Sequence, residues 1–469
     1  MGTRIKSENI TITPENPWEN DKLGREKEIR SLTKIIRNVE PPVVMSINSS
    51  WGKGKTTFIR LWENHLSAEE KGKNGIESVY FNAWETDFSE DPLVAFLGEI
   101  NFKLSKIIDD DSALREKWRK TKAIGIEIAK KAAPSVISIA TSGFVRFDND
   151  AFDKAASKIA EKLSSEALEE YIRKKSEISL FKKNIEEIIQ ESNCGRLVVF
   201  VDELDRCRPN YSIELLERIK HLFNVDGIIF VLSVAKEQLC SSIRQIYGAE
   251  IDAAEYLRKF IDIEYQLSEP PREAFIDGLM EYFGITDFIS DCHWGEESKQ
   301  REIVFLRDVV LSVSNHSNAS LRDINQLLGI INIAVRAAGN NGPYPYCFLG
   351  FMCLIKEWNA GVYSRICSIG IGRDERLYLS NCCKKTSGDL GLGHVIEAQF
   401  HAISHKEESS PERIREAYDA VNAGYQITSP SRSAYERSLI EGYKNYRADF
   451  LDVNFTDLIG LVDFSSHFD

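Results

Sequence analysis

The 469-residue sequence lacks an uncharged apolar run long enough to cross a bilayer. Its best candidate, residues 132–145, is interrupted by Pro134, Ser135, Ser138, Thr141 and Ser142 and falls short of the ~20 residues a helical span needs. Residues 1–20 lack the apolar core of a secretory signal, so export by that route is not expected. Positive charge is in deficit: 59 Lys and Arg stand against 72 Asp and Glu, a net charge of −13. A basic field over the whole protein, the usual footprint of nucleic-acid binding, is therefore absent, although a local basic groove stays open. The nine cysteines have no regular spacing, and neither Cys292-His293 nor Cys382-Cys383 has zinc-finger spacing. Reduced thiols in a cytoplasmic protein are the expectation. No internal repeat is present, which excludes a solenoid.

What remains is an ordinary globular composition, 43% hydrophobic and 28% charged, in a chain long enough for two or three domains. Its organising stretch is Ser49-Ser50-Trp51-Gly52-Lys53-Gly54-Lys55-Thr56-Thr57. An apolar run, Val43-Val44-Met45-Ser46-Ile47, precedes it, and the helix-like Phe58-Ile59-Arg60-Leu61-Trp62 follows. Strand, glycine-containing loop, Lys-Thr and helix is the layout of a phosphate-binding P-loop. Gly52 and Gly54 allow backbone conformations closed to larger residues, so that successive N–H groups can turn inward around an anion. Lys55 would place its ammonium between the β- and γ-phosphates, and the Thr56 hydroxyl would take one Mg²⁺ position. The following helix would direct its positive end at the same charge. Ser49 stands where the usual motif has its first glycine, and a serine there meets a steric cost if φ is positive.

Around this loop the pattern alternates. Helices are expected at 26–39, 93–107, 212–223 and 236–247, from apolar residues at helical spacing. Pro92, after Ser89-Glu90-Asp91, marks a helix start. Strands are expected at 76–81, 196–201, 227–234 and 261–267. The run Leu197-Val198-Val199-Phe200-Val201 suits a strand buried on both faces of a parallel sheet. Residues 109–193 read as a charged helical insertion. Downstream, helices are expected at 272–282, 300–313 and 320–337, with Ser320 as an N-cap. Residues 344–358 are apolar, 370–391 read as loop-rich, and 411–422 and 433–446 read as helical.

Asp202-Glu203 ends the third strand, as in a Walker B motif. Asp202 would hold a Mg²⁺-bound water, and Glu203 would orient and deprotonate the attacking water. Ser233, near the end of the fourth strand, sits where a polar sensor meets the γ-phosphate or the water. Arg206, Arg208, Arg258 and Arg322 are arginine-finger candidates; Arg206 and Arg208 lie just past Walker B, where a neighbouring subunit's site could meet them. Leu23-Gly24-Arg25, one helix before the P-loop strand, is a plausible adenine-side element.

Together, Trp51-Gly52-Lys53-Gly54-Lys55-Thr56, Phe81-Asn82-Ala83-Trp84, Val201-Asp202-Glu203-Leu204-Asp205-Arg206-Cys207 and Tyr256-Leu257-Arg258-Lys259-Phe260 resemble the KAP group of P-loop NTPases over roughly residues 21–328. The alternation of strands and helices implies an α/β P-loop NTPase with a mainly parallel sheet. A strand between the P-loop strand and the Asp202-Glu203 strand in sequence fits the branch in which a catalytic Glu follows the Walker B Asp; Glu203 departs from the second Asp that many members of the resembled family carry. The resemblance implies a long insertion between Walker A and Walker B. Relatives often carry membrane spans in that insertion; they are missing here.

The expected organisation is a core at 16–108 and 194–270, the insertion at 109–193, a helical lid or sensor region at 271–340 and a mostly helical region at 341–469. ATP and Mg²⁺ are the expected cofactors, and a homo-oligomer acting on a partner protein encoded nearby is the expected assembly. Bacterial relatives are often components of antiphage defence, and the resemblance extends that expectation here. Two rival readings remain: a nucleotide-gated scaffold or sensor with negligible turnover, and a nucleic-acid-stimulated motor, against which the acidic balance argues.

Overall fold

A computed structural model of the chain describes residues 18, 21, 23–69, 75–89, 91–108, 111–130, 165–192, 194–269, 271–340, 342–383, 392–404, 446, 449, 450 and 453–465. The stretch 132–145 and the helix expected at 411–422 lie outside the described residues, as does nearly all of 433–446. Two compact units divide near residue 270: Ile10–Glu269, and the chain from Pro270 onward.

The first unit is built on a five-stranded, all-parallel sheet. In chain order its elements are α1 (Glu26–Asn38), β1 (Val43–Asn48), α2 (Lys55–Glu69), β2 (Gly75–Asn82), α3 (Pro92–Ile107), α4 (Ser112–Lys130), α5 (Ser165–Glu191) and β3 (Cys194–Asp202). They continue with α6 (Pro209–Leu222), β4 (Ile228–Val234), α7 (Lys236–Tyr247), α8 (Ala253–Leu257) and β5 (Ile263–Gln266). The strand order is β2-β3-β4-β1-β5. The strand that separates the loop strand β1 from β3 in space is therefore β4, while β2, which separates them in sequence, lies at the sheet edge.

Burial on both faces explains the continuous apolar runs. Leu197, Val199 and Val201 join one core with Phe81, Phe96, Phe223 and Phe230, under α3, α6 and α7. Val198 and Phe200 turn to the opposite core with Met45, Ile47, Phe58 and Trp62, under α1 and α2. The aromatic rings of Phe96, Phe223 and Phe230 meet edge-on or tilted, with centroids 4.7 to 6.3 Å apart. The expected start of α3 has its physical cause on view: the Asp91 carboxylate accepts from Leu93 N–H at 2.7 Å, and Pro92 occupies the first turn. The two described insertion helices are not merely solvated. Trp118 of α4 and Phe181, Ile185, Ile188 and Ile189 of α5 are buried in the larger core, because each helix carries one apolar stripe among its charges.

The second unit is helical among its described residues: α9 (Arg272–Tyr282), α10 (Ile285–Ser290), α11 (Glu296–His316), α12 (Leu321–Ala338), α13 (Tyr346–Trp358), α14 (Ala360–Ile369), α15 (Arg373–Cys382), α16 (Leu392–Ser404) and α17 (Phe455–Ser465). Its centre is α13, with ten successive buried residues from Tyr346 to Ile355. The first N–H groups of that helix are received by its neighbours. Cys347 N–H donates to Glu302 at 2.9 Å, and Phe348 N–H donates to Gln399 at 2.9 Å. Ser320 and Asp323 form a reciprocal capping box at the start of α12. One expectation is corrected here. The span 370–391, expected to be loop-rich, holds α15 at Arg373–Cys382. Glu375 accepts from Gly372 N–H and pairs with Arg365 at 2.6 Å, while Leu379 faces the core.

Candidate nucleotide site

β1 is buried from Val43 to Ile47 and delivers the chain to the carboxyl edge of the sheet. There the loop turns through Gly52 (φ +75°) and Gly54 (φ +85°), the two positions where a side chain would be strained. Ser49 is not among the left-handed residues, so the serine in place of the first motif glycine carries no backbone strain of that kind. It is buried, and its N–H donates to the Val234 carbonyl at 3.2 Å, fastening the loop to the end of β4. Phe58 N–H closes the first turn of α2 on the Gly54 carbonyl at 2.9 Å. The N–H groups ahead of it have no acceptor one turn back within the helix. The Lys55 ammonium donates to the carbonyls of Ser49 at 2.6 Å and Ser50 at 3.2 Å, across the loop it belongs to. Ser50 and Thr56 are exposed, and Thr57 is half-buried. Lys53 pairs with Glu269 at 2.8 Å.

The opposite wall is assembled by register. Asn82 and Asp202 end β2 and β3 side by side with Ser233, the last residue but one of β4, and Ile47 of β1 pairs with Ser233. Asp202 accepts from Glu203 N–H at 2.9 Å and from the Tyr80 hydroxyl at 3.1 Å. Burial and the neighbouring Asp202 push the Tyr80 phenol well up, so it stays a donor. Glu203 itself sits at φ 60°, ψ 22°, a left-handed conformation that costs a non-glycine residue about 1–3 kcal/mol. Its carboxylate pairs with Arg206 at 2.5 Å and accepts from Asn82 at 3.2 Å. The Arg206 guanidinium also lies 5.6 Å from the centre of the Trp84 ring. The Ser233 hydroxyl is buried and has no hydrogen-bond partner among the described residues.

The family model described as the KAP family P-loop domain matches residues 25–338 of this sequence. The chain belongs to the KAP family. Its fold is that of a P-loop NTPase, and nucleotide binding is the property that family membership carries. No curated protein matches the sequence. Among solved structures, the chain is similar to the Aeropyrum pernix ORC2 protein in its ADPNP-ADP complexes, at 14% identity and a TM-score of 0.39, with 99% of this chain and 97% of that one covered. It is also similar to the Aeropyrum pernix ORC1 protein in complex with DNA, at 14% identity and a TM-score of 0.34, with 91% and 96% covered. Scores this low carry no inference about the KAP chain.

The remaining expected positions fall as follows. Gly24 is exposed at φ +63°, ahead of α1. Arg25 is 1% exposed, and its guanidinium is committed to Glu28 at 2.8 Å and to the Ser268 hydroxyl at 2.9 Å. Arg206 reaches Glu203 of its own chain, Arg208 pairs with Asp87 at 2.9 Å, and Arg258 pairs with Glu255 at 2.5 Å. Tyr80, Asn82 and Asp205 were assigned no role from the sequence. Asn82 is placed at the site by the pairing of β2 with β3, in which the last residues of the two strands, Asn82 and Asp202, lie side by side. Among the described residues no helix is long and apolar enough to cross a membrane.

Proposed function

We propose that this KAP chain is an Mg-dependent ATPase that couples nucleotide binding and hydrolysis to the assembly or control of a partner protein. The observation that carries the reading is the alignment of Ser233, Asp202 and Glu203 along the sheet edge, next to the loop that presents Lys55. Loop N–H groups and the Lys55 ammonium bind and orient the triphosphate. Glu203 takes the proton of the attacking water, and Ser233 donates its free hydroxyl to the γ-phosphate or that water. The Thr56 hydroxyl and the Asp202 carboxylate are oxygen donors of the kind Mg²⁺ takes, and they would hold it, Asp202 through a bound water. Bound there, the ion would offset phosphate charge. Steady-state hydrolysis by wild type, Lys55→Ala and Glu203→Gln tests the reading. Both variants are expected to lose turnover by about a hundredfold or more, with Glu203→Gln still retaining ATP. Equal rates in all three would sink it.

A gated scaffold or sensor is the second reading, and one observation favours it: the Glu203 carboxylate is already engaged by Arg206 and Asn82. ATP-dependent change in assembly state without multiple turnover would select it. The family resemblance supports extending either reading to antiphage defence, which phage plating on cells with and without the Lys55→Ala variant would test.

A further inference from the structure

Within the first unit, the indole N–H of Trp51 donates to Asp205 Oδ2 at 2.5 Å. The two residues belong to different walls of the site. Trp51 is in the phosphate loop after β1, and Asp205 is in the three-residue 3₁₀ turn Leu204–Arg206 after β3. β4 stands between those strands, so no backbone ladder joins their ends. The gap amounts to two strand spacings, about 10 Å. The indole is long enough to span it and carries a donor at its far edge. Packing does not account for the pair, since Trp51 is 45% exposed while the carboxylate it meets is 7% exposed. A carboxylate so far from water needs a donor, and the loop supplies it.

The turn that holds Asp205 is short and internally bonded. Arg206 N–H donates to the Glu203 carbonyl at 3.0 Å, and Cys207 N–H donates to the Leu204 carbonyl at 3.3 Å. A shift at Asp205 therefore moves Glu203 and Arg206 with it. Resting on the hydrolysis reading above, we propose that Asp205 is a positioning residue: through the Trp51 indole it ties the phosphate loop to the turn that carries Glu203. Loop geometry set by a triphosphate then fixes where the Glu203 carboxylate stands.

The test uses the full chain as wild type, Trp51→Phe, Asp205→Leu, Asp205→Asn and the double variant Trp51→Phe/Asp205→Leu. Trp51→Phe and Asp205→Leu are each expected to lower kcat by about tenfold while KM for MgATP moves by less than about threefold. The double variant should be no slower than the worse single one. Asp205→Asn keeps an acceptor for the indole and should recover most of the loss. Additive losses, a loss confined to KM, or Asp205→Asn as slow as Asp205→Leu would overturn the proposal. A second arm needs no turnover. The Trp51 emission, obtained by subtracting the Trp51→Phe spectrum in each background, is expected to differ between wild type and Asp205→Leu. It should respond to a non-hydrolysable ATP analogue only in wild type. Identical Trp51 spectra in the two backgrounds would refute the tie. A wild type without turnover would count against the hydrolysis reading, and the emission arm alone would then decide this one.

Discussion

Leaving a buried hydroxyl without a partner costs about 1–3 kcal/mol, and folded chains seldom accept it. Ser233 bears that cost at a strand end flanked by Asp202 and Ile47. The left-handed backbone of Glu203 is a second unfavourable choice one strand away. Two local costs at adjacent strand ends are better explained by chemistry than by folding, and the two can be separated. Ser233→Ala deletes the unpaired hydroxyl, so stability should hold or rise by up to about 1 kcal/mol. Turnover should fall by about tenfold or more, because the donor proposed for the γ-phosphate or the attacking water is lost. Thermal melting and steady-state hydrolysis read the two effects independently. A melting point several degrees lower in Ser233→Ala would mean that the hydroxyl serves the fold instead.

Elements differ in how much of themselves they write into the sequence. The strands Val43–Asn48 and Ile228–Val234 were legible because burial on both faces forces a mostly apolar run, broken only by Ser46, Asn48 and Ser233. The boundary of α3 was legible because Asp91 and Pro92 act locally. The loop glycines at 52 and 54 were legible for the same reason. What could not be read depends on residues distant in sequence. The Ser268 partner of Arg25 lies 243 residues further on, and α15 is held by the core around Leu379. The caps of α13 are likewise non-local. Glu302 of α11 and Gln399 of α16 receive its first N–H groups, and the Gln399 amide also donates to Glu302. Burial raises the Glu302 carboxyl from its ordinary value near 4.5 to about 8, against the lowering effect of those donors. The folded unit thus keeps a proton that the unfolded chain releases near pH 4.5. Its stability should therefore fall as pH rises from about 5 to 8, by on the order of a few kcal/mol, and level off above. Glu302→Gln should flatten that slope. Denaturant unfolding of wild type and variant across this range checks it, and equal slopes would place the titration elsewhere.

At the scale of the whole molecule, each unit has its own core: a sheet covered on both faces up to residue 269, and helices around α13 beyond it. The candidate-site residues from Ser49 to Ser233 lie in the first unit, whereas the Glu302 proton belongs to the second. A ligand that binds only the native state stabilises it by RT ln(1 + [L]/Kd), about 2.7 kcal/mol at a hundredfold excess over Kd. The KAP chain should accordingly respond to two separate levers. MgATP added to Glu203→Gln, expected to bind it without consuming it, should slow amide hydrogen exchange in β1, α2, β3 and β4 by about a hundredfold at that excess. α13 should keep its own rate. Raising pH from about 6 to 8 should do the reverse, loosening α11, α13 and α16 beyond the intrinsic pH effect while the sheet holds. Protection of α13 by nucleotide equal to that of β1 would show instead that the two cores open as one, and the pH dependence of β1 would then have to follow Glu302.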